Sequence, residues 1–135
     1  MRTYLDANVF LYSFLDQDAE KKIKAVEIIA KAVESNSGFI SLQVVREFCN
    51  VMLKKSKRSL SELKGALRLF DSLQMIDGSM SLIRRALEIK DRYKIQFFDS
   101  LHLASAEVAG CDEILTEDLN DGQMYGSVKA VNPFK

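Results

Sequence analysis

Short β-prone runs alternate along this chain with stretches of helical period, and that alternation admits few folds. Thr3-Tyr4-Leu5 is the first such run, and it ends at Asp6, after which the pattern from Asn8 onward is helical. Residues 19–35 read as an amphipathic helix with Ile23, Val26, Ala30 and Val33 at helical spacing, capped by Asp18 and stopped by Asn36-Ser37-Gly38. Gly38-Phe39-Ile40-Ser41 is short, apolar and bounded by turn residues, which predicts a buried strand, and a helix follows over about 42–56. Ser59 with Glu62 is a capping-box pair, and Leu60, Leu63, Leu67 and Phe70 behind it predict a helix with a core face. Gln74–Asp77 predicts a strand, 80–93 a helix with Leu82, Ala86, Ile89 and Tyr93 on one side, and 98–109 a helix ending at Gly110. Glu113–Thr116 and Val128–Val131 predict the last strands. The expected class is α/β, with a mainly parallel central sheet of four to five strands flanked by helices.

Length bounds the rest. At 135 residues, with one proline and no low-complexity stretch, the chain reads as one domain over 1–135. Lys and Arg total 19 and so do Asp and Glu, so the basic excess common in nucleic-acid binders is missing. An acidic site and a basic rim cancel in such a sum, so neutrality does not exclude RNA. Cys49 and Cys111 have no CxxC spacing and read as reduced core or boundary residues. With one histidine in the chain they cannot supply the four N or S ligands of a structural zinc site. No signal-peptide pattern or membrane-length apolar run is present, which makes the cytoplasm the expected location.

In parallel sheets ligands bind beyond the carboxyl ends of the strands, so acids just past strands matter most. Asp6 closes the first strand, Glu47 lies in the helix after the second, Asp99 begins the 98–109 helix, and Asp118 follows Thr116. Each alone reads as a helix cap or a surface residue; Asp6 and Asp99 suit helix N-termini in any case. Glu47 shares a polar stripe with Gln43 and Asn50, which permits a site-facing position. If the four meet, their repulsion calls for a cation. An all-oxygen set suits Mg²⁺ or Mn²⁺. The chemistry that follows is phosphodiester hydrolysis.

Tyr4-Leu5-Asp6-Ala7-Asn8, Glu47, Phe98-Asp99-Ser100-Leu101-His102-Leu103-Ala104-Ser105-Ala106 and Leu115-Thr116-Glu117-Asp118 together resemble the PIN domain, and most of all the VapC-type toxins of toxin–antitoxin systems. The resemblance runs over nearly the whole chain and implies a PIN-like fold. It implies a metal-dependent ribonuclease, a homodimer and an inhibiting antitoxin. Carried over by position, Asp6 and Asp99 are the main metal ligands and Glu47 completes the site directly or through water. Asp118 holds a second ion or orients the water. Asn8 bonds Asp6 or a phosphate, and Thr116 holds its turn. The family often has a further acid where this chain has Asn120, and Asp121 is the adjacent substitute.

Lys54-Lys55-Ser56-Lys57-Arg58 is the densest basic run, either a solvated helix end or a phosphate-tracking patch for RNA made of Lys54, Lys55, Lys57 and Arg58. His102 reads as a structural histidine outside the catalytic set, Glu113 and Glu117 as solvated, and Phe10, Tyr12, Phe14 and Leu15 as core or contact surface. Two other functions compete. A haloacid-dehalogenase-type phosphatase also begins with Asp after its first strand but wants a second acid at the position of Asn8. A non-catalytic PIN-like module binding RNA or protein predicts loss of acids that are all present here. Asp6→Asn and Asp99→Asn are both expected to leave the fold intact or more stable.

Overall fold

The first apolar run becomes the middle of the sheet. In the computed structural model, which describes all 135 residues, Tyr4 and Leu5 of β1 (Thr3–Leu5) have no exposed surface. Burial on both faces is what a covered parallel strand requires. The chain continues through α1 (Ala7–Phe14), α2 (Ala19–Glu34), β2 (Gly38–Ser41), α3 (Leu42–Lys55) and α4 (Leu60–Ala66), which runs on as a 3-10 helix (Leu67–Ser72). Then come β3 (Gln74–Ile76), α5 (Met80–Tyr93), α6 (Phe97–Val108), β4 (Glu113–Leu115), β5 (Met124–Tyr125) and β6 (Val128–Val131).

The sheet order is β3-β2-β1-β4-β6-β5, parallel throughout except for β5 against β6. Six strands exceed the four to five expected. The addition is β5, a two-residue strand that pairs through Met124 and Tyr125 and is too short to show a period. The strand order reverses at β1, whose neighbours β2 and β4 are reached by separate crossovers. A crevice therefore opens past the carboxyl ends of β1, β2 and β4.

Local signals set most boundaries. Asp18 accepts from the Lys21 amide and caps α2, and the Ser59–Glu62 capping box is fully formed. The apolar stripe read for α2 is not the one the core takes. Ala25, Ile29 and Ala32 are buried, whereas Ile23 and Val26 are 63% and 50% exposed. Close approach is the reason: a Cβ on Gly38 of β2 would lie 2.8 Å from the Ala32 Cβ and 2.6 Å from Leu73 Cδ2. Small residues must face the sheet there. Leu60, the first residue of α4, is likewise exposed, whereas Leu63 and Phe70 are buried and Leu67 packs partly buried against the core.

α5 and α6 pack along each other, fastened by a two-pronged ion pair in which Arg85 Nε and Nη2 reach Glu107 at 2.7 and 2.9 Å. A helix that leads into a parallel strand runs against the strand direction. Leading into β4, α6 therefore sets its first turn, with Asp99, at the carboxyl edge of the sheet. No helix is long and apolar enough to cross a membrane.

Candidate functional site

Asp6 leaves β1 at the point where the strand becomes a helix. Its amide still bonds to Leu115 of β4, and its carboxylate caps α1 by accepting from the Ala7 amide at 2.6 Å. The second carboxylate oxygen accepts from the Thr116 hydroxyl at 2.8 Å, so Asp6 is buried with both oxygens engaged. Thr116 also accepts from the Asp118 amide at 3.1 Å, which ties the turn after β4 to the end of β1.

Glu47 points from α3 to the same place. Gln43, one turn earlier, donates to it at 3.0 Å, and His102 Nε2 lies 3.1 and 3.2 Å from its two oxygens. His102 Nε2 is also 3.7 Å from Asp6 Oδ1. One ligating atom from each of Asp6, Glu47 and His102 lies within 4.8 Å of the other two. His102 is thus a member of the cluster, although its sequence context reads as structural. The signal available in the sequence is its uniqueness and its place one helical turn after Asp99.

Asp99 and Asp118 line an open cleft of about 540 Å³ together with Lys90, Lys94, Ile95 and Gln96. Partial burial, then the charge of Asp6, pushes the Asp99 carboxyl above its ordinary range, with His102 opposing and Glu47 adding. Asp118 faces solvent on one side, yet burial on the other and the charges of Asp6 and Asp99 push it up to about 6. These effects link all four predicted acids in one electrostatic cluster. For Glu47, burial works upward but is outweighed by the hydrogen bond and charge of His102 and by Gln43, so its carboxyl falls below the usual value. His102 moves the other way: burial lowers it, and Glu47, Asp6 and Asp99 together raise it above an ordinary imidazole.

The remaining predicted residues divide. Asn8 Nδ2 approaches Asp118 Oδ2 at 3.5 Å rather than Asp6. Asp121 is not drawn into the cluster: its carboxylate accepts from the Asn132 amide at 2.8 Å and lies 3.8 Å from Lys135, because the turn before β5 directs it to the C-terminal segment. Asn120 spends its side chain on Gln123. Glu117, expected in solvent, pairs with Lys21 at 2.8 Å beside Tyr12.

The basic run Lys54, Lys55, Lys57 and Arg58 lies at and beyond the far end of α3. Eight residues separate Glu47 from Lys55, about 12 Å along the helix axis. Arg58, though exposed, donates to the Phe14 carbonyl at 2.9 Å. The lysines that border the acidic cleft are Lys90 and Lys94, for which the spacing of Lys90-Asp91-Arg92-Tyr93-Lys94 just before Asp99 is the sequence signal.

Known proteins share this framework. In backbone, the chain is similar to VapC20 of Mycobacterium tuberculosis, described as a toxin that cleaves the sarcin-ricin loop. That match has a TM-score of 0.69 at 16% identity and covers 83% of this chain and 86% of that one. It is similar to a chain of a toxin–antitoxin complex from Klebsiella pneumoniae, with a TM-score of 0.66 at 22% identity over 97% of both chains. VapBC2 of Rickettsia felis, solved with a fragment of promoter DNA, gives 0.65 at 18% identity over 86% and 87%. At these identities the likeness is one of fold. No curated protein matches. The sequence does match the PIN domain family over residues 3–122, from the first strand to past the last acid of the cluster. This chain belongs to the PIN domain family.

Proposed function

We propose that this protein is a divalent-metal-dependent endoribonuclease, and that it acts as the toxin of a toxin–antitoxin pair with its whole length serving as one nuclease domain. The observation that carries the reading is the carboxylate cluster at the switch point of the sheet. Asp6 and Glu47 lie in one group with His102, while Asp99 and Asp118 carry carboxyls raised by burial and then by their neighbours' charge. Such an arrangement is costly without a cation, because like charges in a half-buried site repel and lose hydration. The donor set is rich in carboxylate oxygen and suits Mg²⁺ or Mn²⁺. Asp6 and Asp99 are the main ligands in this reading, Glu47 completes the set, and Asp118 at the solvent side orients the attacking water.

When bound, the ion supplies Lewis acidity toward the phosphodiester and acidifies water at neutral pH. The chain's own part is orientation. Thr116 holds Asp6 and the Asp118 turn in fixed relation, and Asn8 steadies Asp118. Lys90 and Lys94, on the cleft wall, receive the phosphates flanking the cut. A cognate antitoxin belongs to the same reading, supported by the toxin–antitoxin complexes that share the fold; a homodimeric state and a cytoplasmic site of action are part of the reading through the family resemblance alone.

The experiment is cleavage of mixed structured RNAs by antitoxin-free protein with Mg²⁺ or Mn²⁺, with EDTA, and with Asp99→Asn. Cutting that needs metal and is lost in the variant supports the reading. Cutting that survives EDTA, or that Asp99→Asn retains in full, contradicts it. Protein that neither cuts RNA nor binds metal is a non-catalytic member of the family.

A further inference from the structure

Behind the carboxylates runs a buried line of polar atoms that a nuclease site does not by itself explain. The Ser41 hydroxyl lies 2.7 Å from the Tyr4 hydroxyl, and the Tyr4 hydroxyl lies 2.7 Å from His102 Nδ1. The opposite ring nitrogen, Nε2, meets Glu47 at 3.1 and 3.2 Å. Tyr4 is fully buried, and Ser41 and His102 are within a few per cent of it. We propose that Tyr4 and Ser41 act through His102 as positioning residues that hold the Glu47 carboxylate in the metal-binding cluster. The inference rests on the metal-dependent reading above.

Two observations argue against a merely satisfied core. Tyr4 stands in the central strand, where an apolar side chain would fill the space without burying a hydroxyl. Ser41 occupies the N-cap of α3 and makes no capping hydrogen bond. A serine there normally accepts from the helix's first amides. Its hydroxyl is committed to Tyr4 instead, so local helix stability is forgone for a contact leading to the site.

The ionised Glu47 carboxylate only accepts, so Nε2 must carry the hydrogen that bonds to it, and that fixes the direction. Tyr4 has one hydroxyl hydrogen and two partners. When it donates to Nδ1, the neutral ring carries its hydrogen on Nε2 and donates to Glu47, while Ser41 donates to Tyr4. When the ring is charged, Nδ1 donates to Tyr4 and Tyr4 to Ser41, and Nε2 still donates to Glu47. In both states Nε2 keeps its hydrogen and faces the carboxylate. Glu47 is part-exposed on a helix, and a long acidic side chain there would otherwise sample several rotamers. With Gln43 on one oxygen and His102 across both, it is held toward Asp6. Such partners behind a ligand commonly change metal affinity by about 10- to 100-fold.

The test reads metal affinity and proton location, and neither needs the RNA target. Calorimetry measures Mn²⁺ binding to the full chain for the wild type, Tyr4→Phe, Glu47→Gln and the double variant. Tyr4→Phe is expected to weaken Mn²⁺ binding about tenfold, and to weaken it no further once Glu47 is Gln. Unchanged affinity in Tyr4→Phe, or equal loss in both backgrounds, overturns the proposal. Ser41→Ala probes the same line if Tyr4→Phe does not fold, with no capping bond to lose; there too a loss that depends on Glu47 is expected, and none overturns it. The chain has a single histidine, so its ¹⁵N resonances need no assignment. Nε2 should carry hydrogen with and without Mg²⁺; an unprotonated Nε2 in the Mg²⁺-loaded protein would make His102 a ligand and sink the positioning role. A wild type that binds no Mn²⁺ removes the metal-dependent reading and this one with it. A wild type that binds, with Tyr4→Phe binding equally, removes only this one.

Discussion

Thr116 donates its hydroxyl to Asp6 across 110 residues of sequence, at 2.8 Å, where both are buried. A hydrogen bond to a buried carboxylate contributes about 1.5–3 kcal/mol. The Thr116 hydroxyl oxygen in turn accepts from the Asp118 amide. Thr116→Val, which keeps the shape and removes the hydroxyl, should lower stability to denaturant by about that amount. It should also loosen the Asp118 turn, seen as faster hydrogen exchange of the Asp118 amide. Unaltered exchange there would mean that the turn is held by other contacts.

The two central aspartates should part company on substitution. The sequence suggests that Asp6→Asn and Asp99→Asn are both tolerated, but Asp6 accepts hydrogen bonds on both oxygens, and an amide nitrogen in place of one of them can only donate, so one of the two bonds is lost or must reverse. Asp6→Asn should therefore destabilise the metal-free protein by about 1 kcal/mol or more. Asp99→Asn should leave it unchanged or raise its melting temperature, because the Asp99 carboxyl is already disfavoured as an anion by burial and by Asp6. Cleavage should fall in both by about a hundredfold or more, the size seen when one electrostatic group leaves an active site. Thermal scans in EDTA beside single-turnover rates separate the two effects.

Acid should stabilise the metal-free protein. Asp118 and Asp99 have folded-state pKa values above their ordinary 3.8, so the folded form takes up protons first as pH falls. Their contribution therefore grows from about pH 7 downward, through about 6 for Asp118, until the unfolded chain also protonates. His102 is raised above 6.5, so its contribution is complete below that pH and is lost as pH rises through the folded value. Glu47 opposes them only in stronger acid, because its lowered carboxyl helps above 4.5 and loses that benefit as pH falls through the folded value. In EDTA the melting temperature should climb between pH 8 and about 5 and then turn over. Saturating Mg²⁺ should flatten the climb, since a cation favours the ionised carboxylates. A climb of equal steepness with and without Mg²⁺ would show that these groups do not hold the ion.

Lys94 holds a left-handed backbone conformation, φ 55 and ψ 45, at the C-cap of α5, and its side chain lines the acidic cleft. Glycine is the residue that position favours. Lys94→Gly should raise stability by about 0.5–1 kcal/mol. It should also weaken RNA binding and reduce the salt dependence of affinity by about one phosphate contact. Stability gained with affinity untouched would remove Lys94 from the RNA path.

Elements with strong local signals are legible in the sequence: the Asp18 cap, the Ser59–Glu62 box, and the strands flanked by turn residues. Asp6, Asp99 and Asp118 can be read because each follows a strand or opens a helix that topology brings to one edge, and Glu47, inside α3, is read from the polar stripe it shares with Gln43. What the sequence conceals is decided by packing. The inward face of α2 is chosen by how closely Ala32 must approach Gly38, which no period reports. His102 and Tyr4 look like core residues, and only the fold gives their polar atoms partners from distant segments. Lys54 through Arg58 stand out by density, yet charge density along the chain says nothing of distance from the carboxylates, and Lys90 and Lys94 are the ones beside them.

The order β3-β2-β1-β4-β6-β5 also dictates when this protein can first exist during its own synthesis. β1 is made before β4 and lacks that neighbour until β4 arrives, more than a hundred residues later. Until then Asp6 has no Thr116, and Asp118 does not yet exist outside the ribosome. A nascent fragment therefore carries no assembled centre, however long it lingers on the machine that makes it. For an enzyme whose proposed substrate is RNA, the topology defers the hazard until β4 and the Asp118 turn have been made.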